Sequence, residues 1–128
     1  MNTSKSLKIL LVEDNVLNQK LIFLNLNKLG YDIDLAQNGK VAVSMVESNC
    51  YDLVIMDLMM PVMDGLSATI KIRESELCKS TYTPIIGLTA NTFDADRQKC
   101  LTVGMDEYMS KPFDLELFKE ILVKLDLI

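Results

Sequence analysis

The most constraining feature of this sequence is a set of short apolar runs, Leu7 to Val12, Leu53 to Met56 and Ile85 to Leu88, each ending abruptly in polar residues. Such a run presents apolar side chains to both faces, so it reads as a strand covered on both sides. The segments between the runs carry apolar residues at helical spacing. Strands alternating with helices require a parallel sheet, because each connection must cross back over the sheet with its helix packed on one face.

Asn15 is positioned to cap the first helix, whose apolar stripe of Leu17, Leu21, Ile22, Leu24, Leu26 and Leu29 stops at Gly30. Tyr31 to Ala36 alternates, with Tyr31, Ile33 and Leu35 on one face and Asp32 and Asp34 on the other, as an edge strand does. Asn38-Gly39 makes a turn into a second helix with Val41, Ala42, Met45 and Val46 on its apolar side. Asp52 to Asp57 is the next strand. Asp64 caps a third helix carrying Leu66 and Ile70, and Glu74 to Thr83 reads as a loop before the strand Ile85 to Thr89. A fourth helix runs from about Phe93 to Val103 and stops at Gly104. A short strand covers Glu107 to Ser110, and Asp114 caps a last helix with Phe118, Ile121, Leu122 and Leu125 facing the core. The expected fold is a doubly wound α/β sheet of five parallel strands.

With 128 residues, 49% of them apolar, the chain is long enough to bury a core without staples. One domain over 1–128 is expected, with its core from about 7 to 126. Cys50, Cys78 and Cys100 are widely spaced, form no CxxC pair and have no histidine to complete a zinc site. Each is read as a buried thiol in a reducing cytoplasm. A net charge of −5 without clustered Lys and Arg argues against nucleic acid. No apolar stretch is long enough for a signal-peptide core or a membrane insertion. The chain has no histidine, so any phosphohistidine must belong to another domain or protein.

The strand ends share a chemistry. The first run ends in Glu13 and Asp14, the second in Asp57, the third in Thr89, and the last short strand delivers Lys111 just before Pro112. In a doubly wound sheet ligands sit beyond the carboxyl ends of the strands, where the chain order reverses. Three acids, a hydroxyl and an ammonium gathered there suit Mg²⁺ and a phosphoryl group together. The sulfurs of Met56, Met59, Met60 and Met63 are read as packing, since the neighbouring oxygens favour a hard cation.

In order and spacing, Val12-Glu13-Asp14-Asn15, Asp57 with Met60-Pro61 and Met63-Asp64-Gly65, Leu88-Thr89-Ala90 and Tyr108-Met109-Ser110-Lys111-Pro112-Phe113 resemble the receiver domain of two-component response regulators. The resemblance covers nearly the whole chain. It implies the flavodoxin-like fold with strand order 2-1-3-4-5 and a signalling switch that promotes its own phosphorylation and dephosphorylation, not an enzyme acting on other substrates. It implies Asp57 as phosphoacceptor, and Glu13, Asp14, Asp57 and the backbone carbonyl of Met59 as ligands of Mg²⁺, for which Mn²⁺ can substitute. Lys111, the Thr89 hydroxyl and the Ala90 amide bind the phosphoryl oxygens. Thr89 and Tyr108 form the conformational switch, and Met59 and Asn91 tune water attack on the phosphorylated form, with Met59 favouring slow hydrolysis. A cis Lys111-Pro112 bond belongs to the same pattern.

The donor implied is a histidine kinase or histidine phosphotransfer domain. The downstream protein reads the face of the fourth helix, fifth strand and fifth helix. The stretch Glu13 to Gln19 looks like receivers of hybrid histidine kinases, which points to a phosphorelay. The alternative is a receiver-like interaction module that is never phosphorylated. A flavin binder would need a hydroxyl- or glycine-rich phosphate loop where Glu13 and Asp14 stand. An aspartyl phosphatase would need a second acid where Met59 stands, and a dinucleotide enzyme would need a GxGxxG that follows none of the strands.

Overall fold

A computed structural model describes residues 6–60, 62–79, 81–90 and 94–128, the side chains of 77–79 and 94–96 excepted. The elements are β1 (Lys8–Val12), α1 (Val16–Asn27), β2 (Asp32–Ala36), α2 (Gly39–Ser48), β3 (Leu53–Asp57), α3 (Gly65–Lys79), β4 (Ile85–Thr89), α4 (Asp94–Val103), β5 (Glu107–Ser110) and α5 (Leu115–Lys124). The strands are parallel in the order β2-β1-β3-β4-β5, as the resemblance implied.

Alternate side chains of each strand leave the sheet on opposite sides, so the central strands feed two separate cores. One holds Ile9, Leu11 and Ile55 against Ile22 and Leu26 of α1 and Phe118 and Leu122 of α5. The other holds Leu10, Val54 and Met56 against Ala42 of α2, Ala68 and Ile72 of α3 and Cys100 of α4. Every residue of β3 and β4 is buried, which is why both runs are apolar at successive positions. Each fully buried Leu, Ile or Phe in these layers contributes about 1.5–3 kcal/mol.

The predicted caps form. Asn15 accepts from the Asn18 amide at 2.9 Å, Asp64 from the Ser67 amide at 2.8 Å, and Asp114 from the Glu116 amide at 3.0 Å. Asn38 caps α2 through the Val41 amide at 2.9 Å.

Several expectations are corrected. Glu74 to Thr83 is not all loop, because α3 continues to Lys79. Ile72 is fully buried in the same helix, and the polar stretch is held by a pair within it, Arg73 with Glu76 at 2.5 Å, and by one outside it, Arg73 with Asp106 at 3.0 Å. The α1 stripe is also misread. Ile22 and Leu26 are buried, whereas Leu17, Leu21 and Leu24 are exposed, since α1 is apolar round much of its circumference and spacing alone could not tell which side faces the sheet. In β2, Leu35 is exposed and Asp34 is half-buried, accepting a 2.7 Å hydrogen bond from the Tyr51 hydroxyl. Ile70 and Val41 are exposed too. Cys100 is buried as expected but Cys50 is exposed, and the Cys78 side chain lies outside the described residues. The predicted start of the fourth helix at Phe93 also lies outside them. Among the described residues no helix is long and apolar enough to cross a membrane.

Candidate functional site

The chain leaves β1 in one direction to form β2 and returns on the other side to form β3, so the carboxyl ends of β1 and β3 flank the point of reversal. Val12 is paired with Met56, so the next residues, Glu13 and Asp57, emerge side by side. Asp57 is paired with Leu88 and Thr89 with Ser110, which brings the ends of β4 and β5 to the same rim. The Lys111 amide donates to the Thr89 carbonyl at 2.7 Å and starts the lysine back toward the acids. The Lys111-Pro112 bond is cis.

Gly65 closes the loop behind Asp57. Its amide donates to the Leu58 carbonyl at 3.1 Å, and a Cβ at this position would lie 2.3 Å from the Asp57 carbonyl oxygen. Any side chain would lift the loop off the strand end, so the approach itself requires glycine.

One ligand oxygen from each of Glu13, Asp14 and Asp57 lies within 4.8 Å of the others. Asp57 is 2% exposed and Glu13 1% exposed, whereas Asp14 faces solvent. Lys111 Nζ stands 3.0 Å from Asp57 Oδ2 and 3.5 Å from Glu13 Oε1. The Met59 amide donates to Asp57 Oδ1 at 3.3 Å, and the Asn15 amide to Glu13 Oε2 at 3.1 Å. Glu13 Oε1 is buried with no hydrogen-bond partner, its contact with Lys111 being a long ion pair only.

The Glu13 carboxyl stands raised to about 7, with burial as the largest cause. Against that burial the Asn15 amide and the Lys111 charge pull it down, while the neighbouring charge of Asp57 adds to the rise. Burial works against the Lys111 charge, yet its hydrogen bond to Asp57 and the charges of Asp57 and Glu13 outweigh this and raise its pKa. When all three acids are ionised, one ammonium leaves two negative charges unbalanced. An orphaned buried carboxylate oxygen and three converging hard donors fit a small divalent cation such as Mg²⁺.

Thr89 ends β4 and is 3% exposed, while Ala90 beyond it is exposed. Tyr108 is half-buried, packed against the core on the α2, α3 and α4 side. Asn91 lies outside the described residues. The fold thus brings together Glu13, Asp14, Asp57, Met59, Thr89 and Lys111. Sequence reasoning missed Gln19, whose side-chain amide donates a short hydrogen bond to the Glu13 carbonyl and ties the first turns of α1 to the acidic loop. Its place four residues after the Asn15 cap was the available signal.

The sequence profile of the response regulator receiver domain matches residues 9–123. The chain belongs to that family. This receiver domain is 42% identical over 120 residues to hybrid signal transduction histidine kinase I of Dictyostelium discoideum, an alignment covering 90% of this chain and 7% of the kinase. The chain spans between 4% and 10% of the length of four Dictyostelium hybrid kinases that it matches. Among solved structures, the receiver domain of a Pseudomonas aeruginosa sensor histidine kinase is 43% identical with a TM-score of 0.83, over 94% of this chain and 97% of that one. It carries a magnesium ion coordinated in its active-site cleft. A Saccharomyces cerevisiae response-regulator receiver domain, crystallised with a histidine phosphotransfer protein, is 31% identical with a TM-score of 0.85, over 93% of this chain and 88% of that one. The protein is therefore a receiver domain of two-component or phosphorelay signalling.

Proposed function

We propose that this receiver domain takes a phosphoryl group onto Asp57 from a phosphohistidine on a histidine kinase or histidine phosphotransfer domain, and that it works in the cytoplasm as a switch and not as an enzyme on other substrates. One observation carries the reading: Asp57, 2% exposed at a strand end, has Lys111 Nζ 3.0 Å from one oxygen and two more acids converging on it. In the transfer an Asp57 oxygen attacks phosphorus and the new P–O bond forms as the P–N bond breaks, its electron pair staying with the donor imidazole.

Glu13, Asp14, Asp57 and the Met59 carbonyl would hold Mg²⁺, or Mn²⁺ in its place. Bound there, the ion supplies positive charge that reduces repulsion between the carboxylate and the incoming phosphoryl oxygens. Lys111 holds a second positive charge at the same centre, while the Thr89 hydroxyl and the Ala90 amide bind the remaining oxygens. Thr89 moves onto the phosphoryl group and half-buried Tyr108 turns inward behind it. That pair biases an equilibrium by a few kcal/mol, and a downstream protein reads it on the face of α4, β5 and α5. The exposed Met59 thioether gives an attacking water no hydrogen bond, which favours slow loss of the phosphoryl group.

The deciding experiment is incubation with acetyl phosphate and Mg²⁺, read by intact mass. The native chain gains one phosphoryl group and Asp57→Asn gains none. Equal labelling of both proteins overturns the assignment.

A further inference from the structure

The methionines divide sharply by exposure. Among the described residues Met56, Met105 and Met109 are buried, and Met45, Met60 and Met63 are half-buried against the core on the α2, α3 and α4 side. Met59 is 77% exposed. An oxidant reaches a thioether through solvent, so the sulfur oxidised first is the one that stands in water.

That exposed sulfur belongs to the methionine beside the acceptor. Met59 follows Asp57 by two residues, and its amide donates to Asp57 Oδ1 at 3.3 Å, which holds its backbone at the lip of the cleft. Asp57 is 2% exposed, so a phosphoryl group on it must project toward solvent, and the water that removes it arrives from the same side. A thioether is a weak acceptor and leaves that water unheld. A sulfoxide carries a polar oxygen on the same δ sulfur and gives the water a hydrogen-bond partner. We propose that Met59 is a redox-modification site, at which a peroxide converts the thioether to the sulfoxide and thereby shortens the life of the phosphorylated state.

The proposal rests on Asp57 being the acceptor and adds a control to that site. A lone pair of the Met59 sulfur attacks one peroxide oxygen, and the S–O bond forms as the O–O bond breaks. The departing hydroxide takes up the proton left on the transferred oxygen and leaves as water. Sulfur loses two electrons and the peroxide gains them. Sulfoxide reductases reverse the change, so the lifetime of the signal follows the balance of oxidant and reductant. The carboxylates, the ammonium and the hydroxyl gathered at the cleft do not react with peroxide under these mild conditions. Their charge and geometry are left as they were.

The test compares the native chain, Met59→Leu and Met59→Gln. Each is treated with hydrogen peroxide or left untreated, freed of oxidant, labelled with acetyl phosphate and Mg²⁺, freed of the donor and followed by intact mass. Leucine offers no oxidisable sulfur, and the variant keeps the exposed Cys50 as a control for thiol oxidation. Glutamine places an oxygen on its δ atom as the sulfoxide does. Peptide mapping should find Met59 oxidised ahead of Met60 and Met63. The oxidised native chain should then lose its phosphoryl group roughly fivefold faster, the effect of one hydrogen bond to the attacking water. Methionine sulfoxide reductase should restore the slow rate. Peroxide should leave the rate of Met59→Leu unchanged, and untreated Met59→Gln should match the oxidised native chain. Any of three results overturns the proposal: an unchanged rate with Met59 oxidised, the same acceleration in Met59→Leu, or Met59→Gln as slow as the untreated native chain. A native chain that acetyl phosphate cannot label overturns the acceptor reading, and the redox control with it.

Discussion

The two rims of the sheet both gather buried or half-buried acids around a single cation, yet they are built to opposite ends. At the rim where the strands begin, Arg73 uses its whole guanidinium. Nε donates to the Gly104 carbonyl at 2.9 Å, and Nη1 to Glu76 at 2.5 Å and the Thr83 carbonyl at 2.8 Å. Nη2 donates to Asp106 at 3.0 Å. The same Asp106 oxygen, Oδ2, also accepts from the Ile85 amide at 2.8 Å, and the two remaining carboxylate oxygens accept from the Thr83 amide at 2.6 Å (Glu76 Oε2) and from the Tyr82 hydroxyl (Asp106 Oδ1). At the rim where the strands end, three acids converge, Lys111 pairs with two of them, and Glu13 Oε1 has no hydrogen-bond partner. The first cluster is satisfied within the chain and locks α3 to β4 and to the start of β5. The second is short of positive charge, and its donors fit a divalent cation. Buried charge is a structural staple where the chain completes the set and a binding site where it leaves the set open.

Removing one charge from each rim gives the sharpest test of that contrast. Arg73→Met strands Glu76, which is buried, and Asp106, which is nearly so. It should lower unfolding stability by about 3 kcal/mol, the low end for a broken buried pair, measured by urea titration. A loss under about 1 kcal/mol would erase the distinction between the rims.

At the open rim the sign reverses. In the metal-free chain the Glu13 carboxyl, ordinarily at 4.5, is pushed up to about 7 by burial first and by Asp57. The folded chain then binds a proton more tightly than the unfolded one, so this group's contribution to stability falls as pH rises from about 4.5 to about 7 and is flat above. Above pH 7, Glu13→Gln should therefore stabilise the metal-free chain by about 2 kcal/mol and flatten its pH dependence between pH 5 and 7. Mg²⁺ should raise the melting temperature of the native chain but not of Glu13→Gln. A variant that still gains stability from Mg²⁺ would show that Glu13 does not complete the cation site.

The smallest effect concerns apolar surface at the same rim. Leu17→Ser should change stability by less than about 0.5 kcal/mol, because its side chain is already in water. A larger loss by thermal melt would mean that Leu17 packs in solution and is not part of an open surface.

The acidic site was legible because strand ends announce themselves: Glu13, Asp57 and Thr89 each follow a run apolar on both faces, and a parallel sheet gathers such ends on one rim. The rear cluster was not legible. Glu74-Ser75-Glu76 has no apolar spacing, and its helix persists because Arg73 meets Asp106, a residue 33 positions away. The face of α1 was equally hidden, since Leu21, Ile22, Leu24 and Leu26 satisfy helical spacing on more than one side. Only packing against β1 and α5 decided that Ile22 and Leu26 go inward.

By itself, then, the sequence determined the order of strands and helices, the caps at Asn15, Asp64 and Asp114, and the polar residues that end each strand, all of which are local patterns read within a few residues. The tertiary structure decided which acids are buried and which oxygen lacks a partner. Those properties depend on distances between segments far apart in the chain, and distances exist only once the sheet has closed.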